Sequence, residues 1–241
     1  LWLPARLAAS SQTRCRLTAA GHGTKGTVMT RKDQHPSRYR WVIVAAASAM
    51  LAIAMGELVN GLSPFFTTLE AEFGWSRSEV AFINTAGLIG LSLGGIVLGF
   101  AADRFNIRAV VLTGAVVTGL SILAASQATA LWQLYALFFV AGALGGGALF
   151  APLFALVGTW FRTGAGLAIG IAAAGQAIGQ GGIPFANALL IEGLGWRGAF
   201  LALGAFSLVT LVPLALLLRG PAAEPHSAGQ AADEEAPAPL K

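Results

Sequence analysis

Between Arg108 and Arg162 run 53 consecutive residues without a single charge. One bilayer crossing uses roughly 20 apolar residues, so the stretch is expected to cross twice around a short turn. The composition extends this to the whole chain. Of 241 residues, 56% are hydrophobic and only 11% charged, against roughly a quarter charged in a soluble domain. A mean hydropathy of +0.70 leaves more apolar surface than one core can enclose. The 31 glycines follow no collagen period and fall inside the apolar stretches, where small residues let membrane helices approach. A transmembrane barrel would need segments of about ten alternating residues, and none is present. The expected fold class is therefore all-α, a polytopic membrane helical bundle.

Charged residues bracket six candidate helices, at 41–63, 80–102, 109–126, 131–158, 164–191 and 198–218. Residues 1–40 form a basic N-terminal segment and 219–241 an Ala-, Pro- and acid-rich tail, and both compositions predict disorder. The first methionine is Met29, a candidate start, and the residues before it lack the apolar stretch and cleavage site of a signal peptide. When alternate loops are assigned to opposite sides, 13 of the 15 basic residues fall on one side and only Arg77 and Arg197 on the other. Basic loops resist translocation, so both termini are expected in the cytoplasm of a plasma membrane, or of an inner membrane in a Gram-negative source. The loop with Glu70, Glu72 and Glu79 is then external.

Several function classes are excluded. Cys15 is the only cysteine, and His22, His35 and His226 all lie in the polar end segments. No span then carries a histidine base, and no metal or cofactor is expected. The net charge of +4 is accounted for by loop asymmetry rather than by a nucleic-acid partner. Gly90-Leu-Ser92-Leu-Gly94 has the spacing of a serine-hydrolase elbow, but it sits mid-helix and no intramembrane histidine can take the serine proton. No phosphate loop or dinucleotide fingerprint is present, so the chain does not read as an enzyme.

The polar groups at depth are few. Glu57 is the one ionisable side chain well inside a span, about 24 Å along the first helix at about 1.5 Å per residue, in the outer half of a roughly 30 Å core. With Asn60 three residues on, it forms a polar stripe expected to face the bundle interior. Glu57 is a candidate proton site or part of an external vestibule; a structural hydrogen bond is the competing role. Asn84 in the second span and Gln176, Gln180 and Asn187 in the fifth are the other strong hydrogen-bonding groups. Gln176 and Gln180, one turn apart, share a face, and could read a carboxylate or tie helices together. Small residues recur at packing distance in Gly90/Gly94, Gly95/Gly99, Gly142/Gly146, Gly166/Gly170 and Gly175/Gly179. Pro152, Pro184 and Pro213 are expected to kink their spans.

The turn after the second span reads Gly99-Phe-Ala-Ala-Asp103-Arg104-Phe-Asn106-Ile107-Arg108. Its glycine allows close helix approach, and Asn106 can take the left-handed conformation a tight turn demands. It resembles the loop motif of the major facilitator superfamily at Gly99, Asp103, Arg104 and Arg108, with Asn106 and Ile107 departing from the pattern. Phe73-Gly-Trp-Ser-Arg77, Trp160-Phe-Arg162 with Gly166-Leu-Ala-Ile-Gly170, and Gly195-Trp-Arg197-Gly-Ala-Phe200 are similar to the monocarboxylate transporter and oxalate/formate antiporter branch. An internal echo, Asp103 to Arg108 and Glu192 to Arg197, fits a 3+3 inverted repeat.

The resemblance implies the N-terminal six-helix half of a secondary carrier for a small organic mono- or dicarboxylate anion. Such a carrier works by alternating access, with protons as a candidate coupling ion. It also implies a second half that supplies the partner of Asp103 and a substrate-binding arginine, with residues 219–241 starting the linker between halves. Two alternatives stay open: a half-size homodimeric carrier, and a non-transporting six-helix protein or inactive truncated product.

Overall fold

The computed structural model describes residues 37–161 and 164–218, apart from the side chains of residues 37, 38 and 103. Expectations for residues 1–36 and 219–241 and for Arg162 lie outside the described residues. Within them every regular element is helical: α1 (Ser37–Met55), a π-helical turn (Gly56–Asn60), α2 (Phe65–Phe73), α3 (Arg77–Arg104), α4 (Ile107–Ala125), α5 (Leu131–Val140), a second π-helical turn (Ala141–Gly146), α6 (Gly147–Trp160) and α7 (Ala165–Leu217).

The helix starts follow from side chains that satisfy otherwise orphaned N–H groups. At α3, Ser76 Oγ accepts from Glu79 N at 3.4 Å while Glu79 Oε2 accepts from Ser76 N at 2.8 Å. This reciprocal cap fixes the first turn. At α5, Gln133 Oε1 turns back to accept from Thr129 N at 2.8 Å and Ala130 N at 3.3 Å.

Five helices are long and apolar enough to cross a membrane, where the sequence suggests six. The difference lies in α7, which has 53 residues. A straight helix of that length would extend about 80 Å, far beyond a roughly 30 Å hydrocarbon core. It is broken at Gly195, whose φ of 70° and ψ of 170° belong to a region essentially reserved for glycine. Before the break the chain runs parallel to α1, with Gly175 against Ser48, Gly179 against Ala52 and Asn187 bonded to Gly61. After it the direction reverses, with Phe200 on Phe65, Ser207 on Glu57 and the Leu217 carbonyl on Tyr39. The expected loop at 192–197 is thus compressed into one residue of a helix folded into two arms.

Two further expectations are corrected. Asn106 is not left-handed: its φ is −64° and ψ 115°, and its Oδ1 accepts from Arg108 N at 3.0 Å. The connection between α3 and α4 is so short that Asn106 must cap α4, and an N-cap requires extended backbone. The short helix α2 occupies the segment expected to be an external loop, ending where the Gly74 N–H bonds to the Glu70 carbonyl at 3.0 Å.

Two buried clusters form the interior. One is aliphatic, built from α1, α4, α6 and both arms of α7 around Met50, Leu51, Val111, Leu153, Ala168 and Leu211. The other is aromatic, with Phe65, Phe138, Trp196 and Phe200. Large apolar side chains such as Ile96, Val97 and Phe100 of α3 and Ile178 and Phe185 of α7 point outward. Such a surface suits lipid or another helix and not water.

Candidate functional site

The polar residues singled out in the sequence converge on the first π-helical turn. Such a turn inserts one residue into the helical ladder, and side-chain amides from neighbouring helices reach its backbone. Asn84 Nδ2 donates to the Val59 carbonyl at 2.6 Å and the Leu58 carbonyl at 3.3 Å. Asn187 Nδ2 donates to the Gly61 carbonyl at 2.7 Å. Asn60 Nδ2 donates outward to the Gln180 carbonyl at 3.3 Å. Two helical segments, α3 and the first arm of α7, are therefore tied to this stretch of backbone that departs from α geometry. In a bilayer no water can satisfy those carbonyls, so the amides do so.

Glu57 sits in this turn and is 5% exposed. Its Oε1 accepts from Ser207 Oγ of the second α7 arm. Asn60, by contrast, is exposed, so the expected Glu57–Asn60 stripe on one face does not form. The wider π turn rotates Asn60 away from the interior. Ser207 was not foreseen; its only signal is a lone hydroxyl in an otherwise apolar segment, Ala205-Phe-Ser207-Leu-Val209.

Gln176 and Gln180 are half-buried on the first arm of α7. Among the described residues neither side-chain amide has a hydrogen-bond partner, in contrast to Asn60, Asn84 and Asn187. Two free amides one turn apart are neighbours on one face of the helix, each with N–H donors to offer. The described arginines are found at helix ends: Arg40, Arg77, Arg104, Arg108 and Arg197. None lies at mid-bundle. No group of three His, Cys, Asp or Glu side chains converges among the described residues.

The motif turn is only Phe105 and Asn106 long, with Arg104 exposed and Arg108 half-buried. The side chain of Asp103 lies outside the described residues. Gly99 meets no helix: a Cβ placed there has open space around it. The close approach expected at this glycine is therefore absent among the described residues, because α3 turns this face away from α5 and α6.

At the opposite end, Glu72 of α2 binds both residues that follow the α7 break. Its Oε2 accepts from Trp196 Nε1, and its Oε1 accepts from an Arg197 guanidinium nitrogen at 2.8 Å. The guanidinium lies 4.3 Å from the Trp196 ring centroid. This clamp fixes the point where α7 reverses. It makes Arg197 pair with Glu72 and not with Glu192, its partner in the internal echo.

Long apolar helices, amide-tied irregular backbone at depth and charge confined to helix ends define a polytopic α-helical membrane protein. The family model described as Major Facilitator Superfamily matches residues 42–241, and this chain belongs to that superfamily. It is 31% identical over 197 residues to monocarboxylate transporter 11 of Homo sapiens, covering 81% of this chain and 41% of the relative. It is 32% identical over 168 residues to monocarboxylate transporter 3 of Rattus norvegicus, covering 70% and 34%. An MFS-type transporter 1 of Ophiocordyceps sp. (strain BCC 1869) is 30% identical over 179 residues, covering 73% and 39%. The chain spans less than half the length of these curated relatives. The superfamily is one of carriers and not of enzymes.

Proposed function

We propose that this chain forms one six-crossing half of a plasma-membrane carrier that moves a small monocarboxylate by alternating access, together with a second six-helix half. The observation that carries the reading is the superfamily match over residues 42–241 joined to relatives named as monocarboxylate transporters. Each arm of α7 counts as one crossing, since both run the length of α1 in opposite directions. Arg40, Arg104 and Arg108 belong to the cytoplasmic end, where Tyr39 and Ile107 pack on the same aliphatic cluster. Arg77, Arg197 and the Glu72 clamp belong to the external end. Positive-inside asymmetry supports this orientation.

Within the half, Gln176 and Gln180 are the residues that read the substrate carboxylate. Asn84, Asn187 and Asn60 hold the π turn beside them. With no arginine at mid-bundle among the described residues, the compensating positive charge for the anion comes from the second half. The open faces at Gly95/Gly99 and Gly166/Gly170 are the surfaces against which that half moves, as smooth small-residue faces permit.

The test is uptake of radiolabelled lactate into proteoliposomes. The coding DNA is first read past the Lys241 codon, and the 241-residue chain is compared with the product carrying any six-helix continuation. Saturable uptake by the joined product alone is the expected result. Uptake by the 241-residue chain alone would instead establish a half-size homodimer. No saturable uptake by either would refute the carrier reading in favour of a non-transporting membrane protein.

A further inference from the structure

A small cavity of about 10 Å³ lies beside the first π turn, between Glu57, Gly61 and Asn187. Its volume is on the order of the 10–15 Å³ that one water molecule occupies. Two of the residues that line it each carry a buried polar atom without a hydrogen-bond partner: Glu57 Oε2 and Asn187 Oδ1. The residues that carry them are 5% and 1% exposed. The remaining wall is apolar, with Phe65 of α2, Ile122 of α4, Phe138 of α5, and Phe200 and Leu203 of α7. Among the described residues none of these elements brings a titratable or charged side chain to the cavity, where Glu57 is the ionisable group.

The hydrogen-bond accounting leaves a specific gap. Asn187 uses Nδ2 on the Gly61 carbonyl at 2.7 Å, which fixes its amide orientation, because the flipped amide would set two acceptors against each other. Its Oδ1 therefore points away from that carbonyl as an acceptor. The other Glu57 oxygen, Oε1, already accepts from Ser207. Two acceptors remain and no donor. Leaving a buried polar group unmatched costs about 1–3 kcal/mol, and an unpaired enclosed charge costs far more. A metal cation is a poor occupant, since Glu57, Asn187 and Gly61 supply too few oxygens and the other walls are hydrocarbon.

We propose that this cavity is a binding site for one proton and one water molecule, with the proton on Glu57 Oε2. The Glu57 hydroxyl donates to the water, the water donates to Asn187 Oδ1, and Asn187 Nδ2 donates to the Gly61 carbonyl. A single water thus completes every polar group and removes the uncompensated charge. Ser207 and Asn187 come from different arms of α7 and Glu57 from the π turn, so separation of the arms would open the site and release the proton. Within the carrier reading this is the site of a coupling proton. The geometry stands without that reading.

The test uses the wild-type protein in membranes, with infrared spectroscopy and glutamate isotope labelling. A protonated-carboxyl stretching band is expected. Glu57→Gln should remove it, Glu72→Gln should leave it, and Asn187→Leu should shift it by removing the bridge. Density for one water touching both side chains is expected in a high-resolution structure of the wild type, which decides the matter even where a variant fails to fold. A wild type whose glutamates are all ionised, a band that survives Glu57→Gln, an empty cavity, or a sodium ion in it would overturn the proposal. None of these readouts depends on transport, so failure here is distinct from failure of the carrier assignment.

Discussion

Gly94 and Gly95 are neighbours on α3, yet they belong to different surfaces. A Cβ at Gly94 would overlap the Ala143 carbonyl of the second π turn, whereas at Gly95 it would meet open space. The same division runs through the molecule. Gly90, Gly142, Gly175 and Gly179 press on neighbouring backbone or side chains, while Gly99, Gly166 and Gly170 face nothing among the described residues. The pressed set builds this bundle. The open set lies on the faces of α3 and the first α7 arm that also carry free apolar side chains. Small residues on an outer face are no use to lipid contact, and they are what a second helix needs in order to approach closely.

The largest effect expected from breaking this division is at Gly94→Leu. The side chain has only backbone to displace, so α3 must leave the second π turn, at a cost of about 3 kcal/mol or more. Loss of monodisperse protein in detergent is the expected readout. Gly195→Ala comes next. Alanine is strained at a φ of 70° and ψ of 170°, costing about 1–3 kcal/mol, and a lowered thermal midpoint would show it. Glu72→Leu removes the carboxylate that accepts from the Trp196 indole and pairs with Arg197, in an ion pair whose side chains are 47% and 40% exposed. Screening by solvent keeps that loss near about 1 kcal/mol, visible as faster proteolysis near residues 194–197. Gly95→Leu should change the stability of this chain by no more than about 0.5 kcal/mol. Equal thermal midpoints for the Gly94 and Gly95 variants would erase the distinction between the two surfaces.

Much of this was legible from the sequence, for reasons of period and charge. The 53-residue uncharged run and its flanking arginines located α4 through α6. Overlapping glycine pairs were not separable, because spacing shows that Gly90/Gly94 and Gly95/Gly99 each lie on one face without saying which face meets a neighbour. The π turns were also invisible. Gly56 to Asn60 has no local signature, and the Asn84 and Asn187 amides that bond its backbone come from distant parts of the chain. The amides at depth are legible as residue types, but Asn60 lies off the Glu57 face, and Ser207 carries no signal beyond a lone hydroxyl in an apolar segment. The α7 reversal was placed near residues 192–197 but not reduced to Gly195, whose conformation depends on Trp196 and Arg197 being held by Glu72.

If the open faces receive a second half, as proposed, lactate uptake into proteoliposomes should depend on Gly95 in the joined product. Saturable uptake by the parent and its loss in Gly95→Leu, at equal protein level and equal thermal midpoint, is the expected result. Undiminished uptake by the Gly95→Leu protein would contradict it.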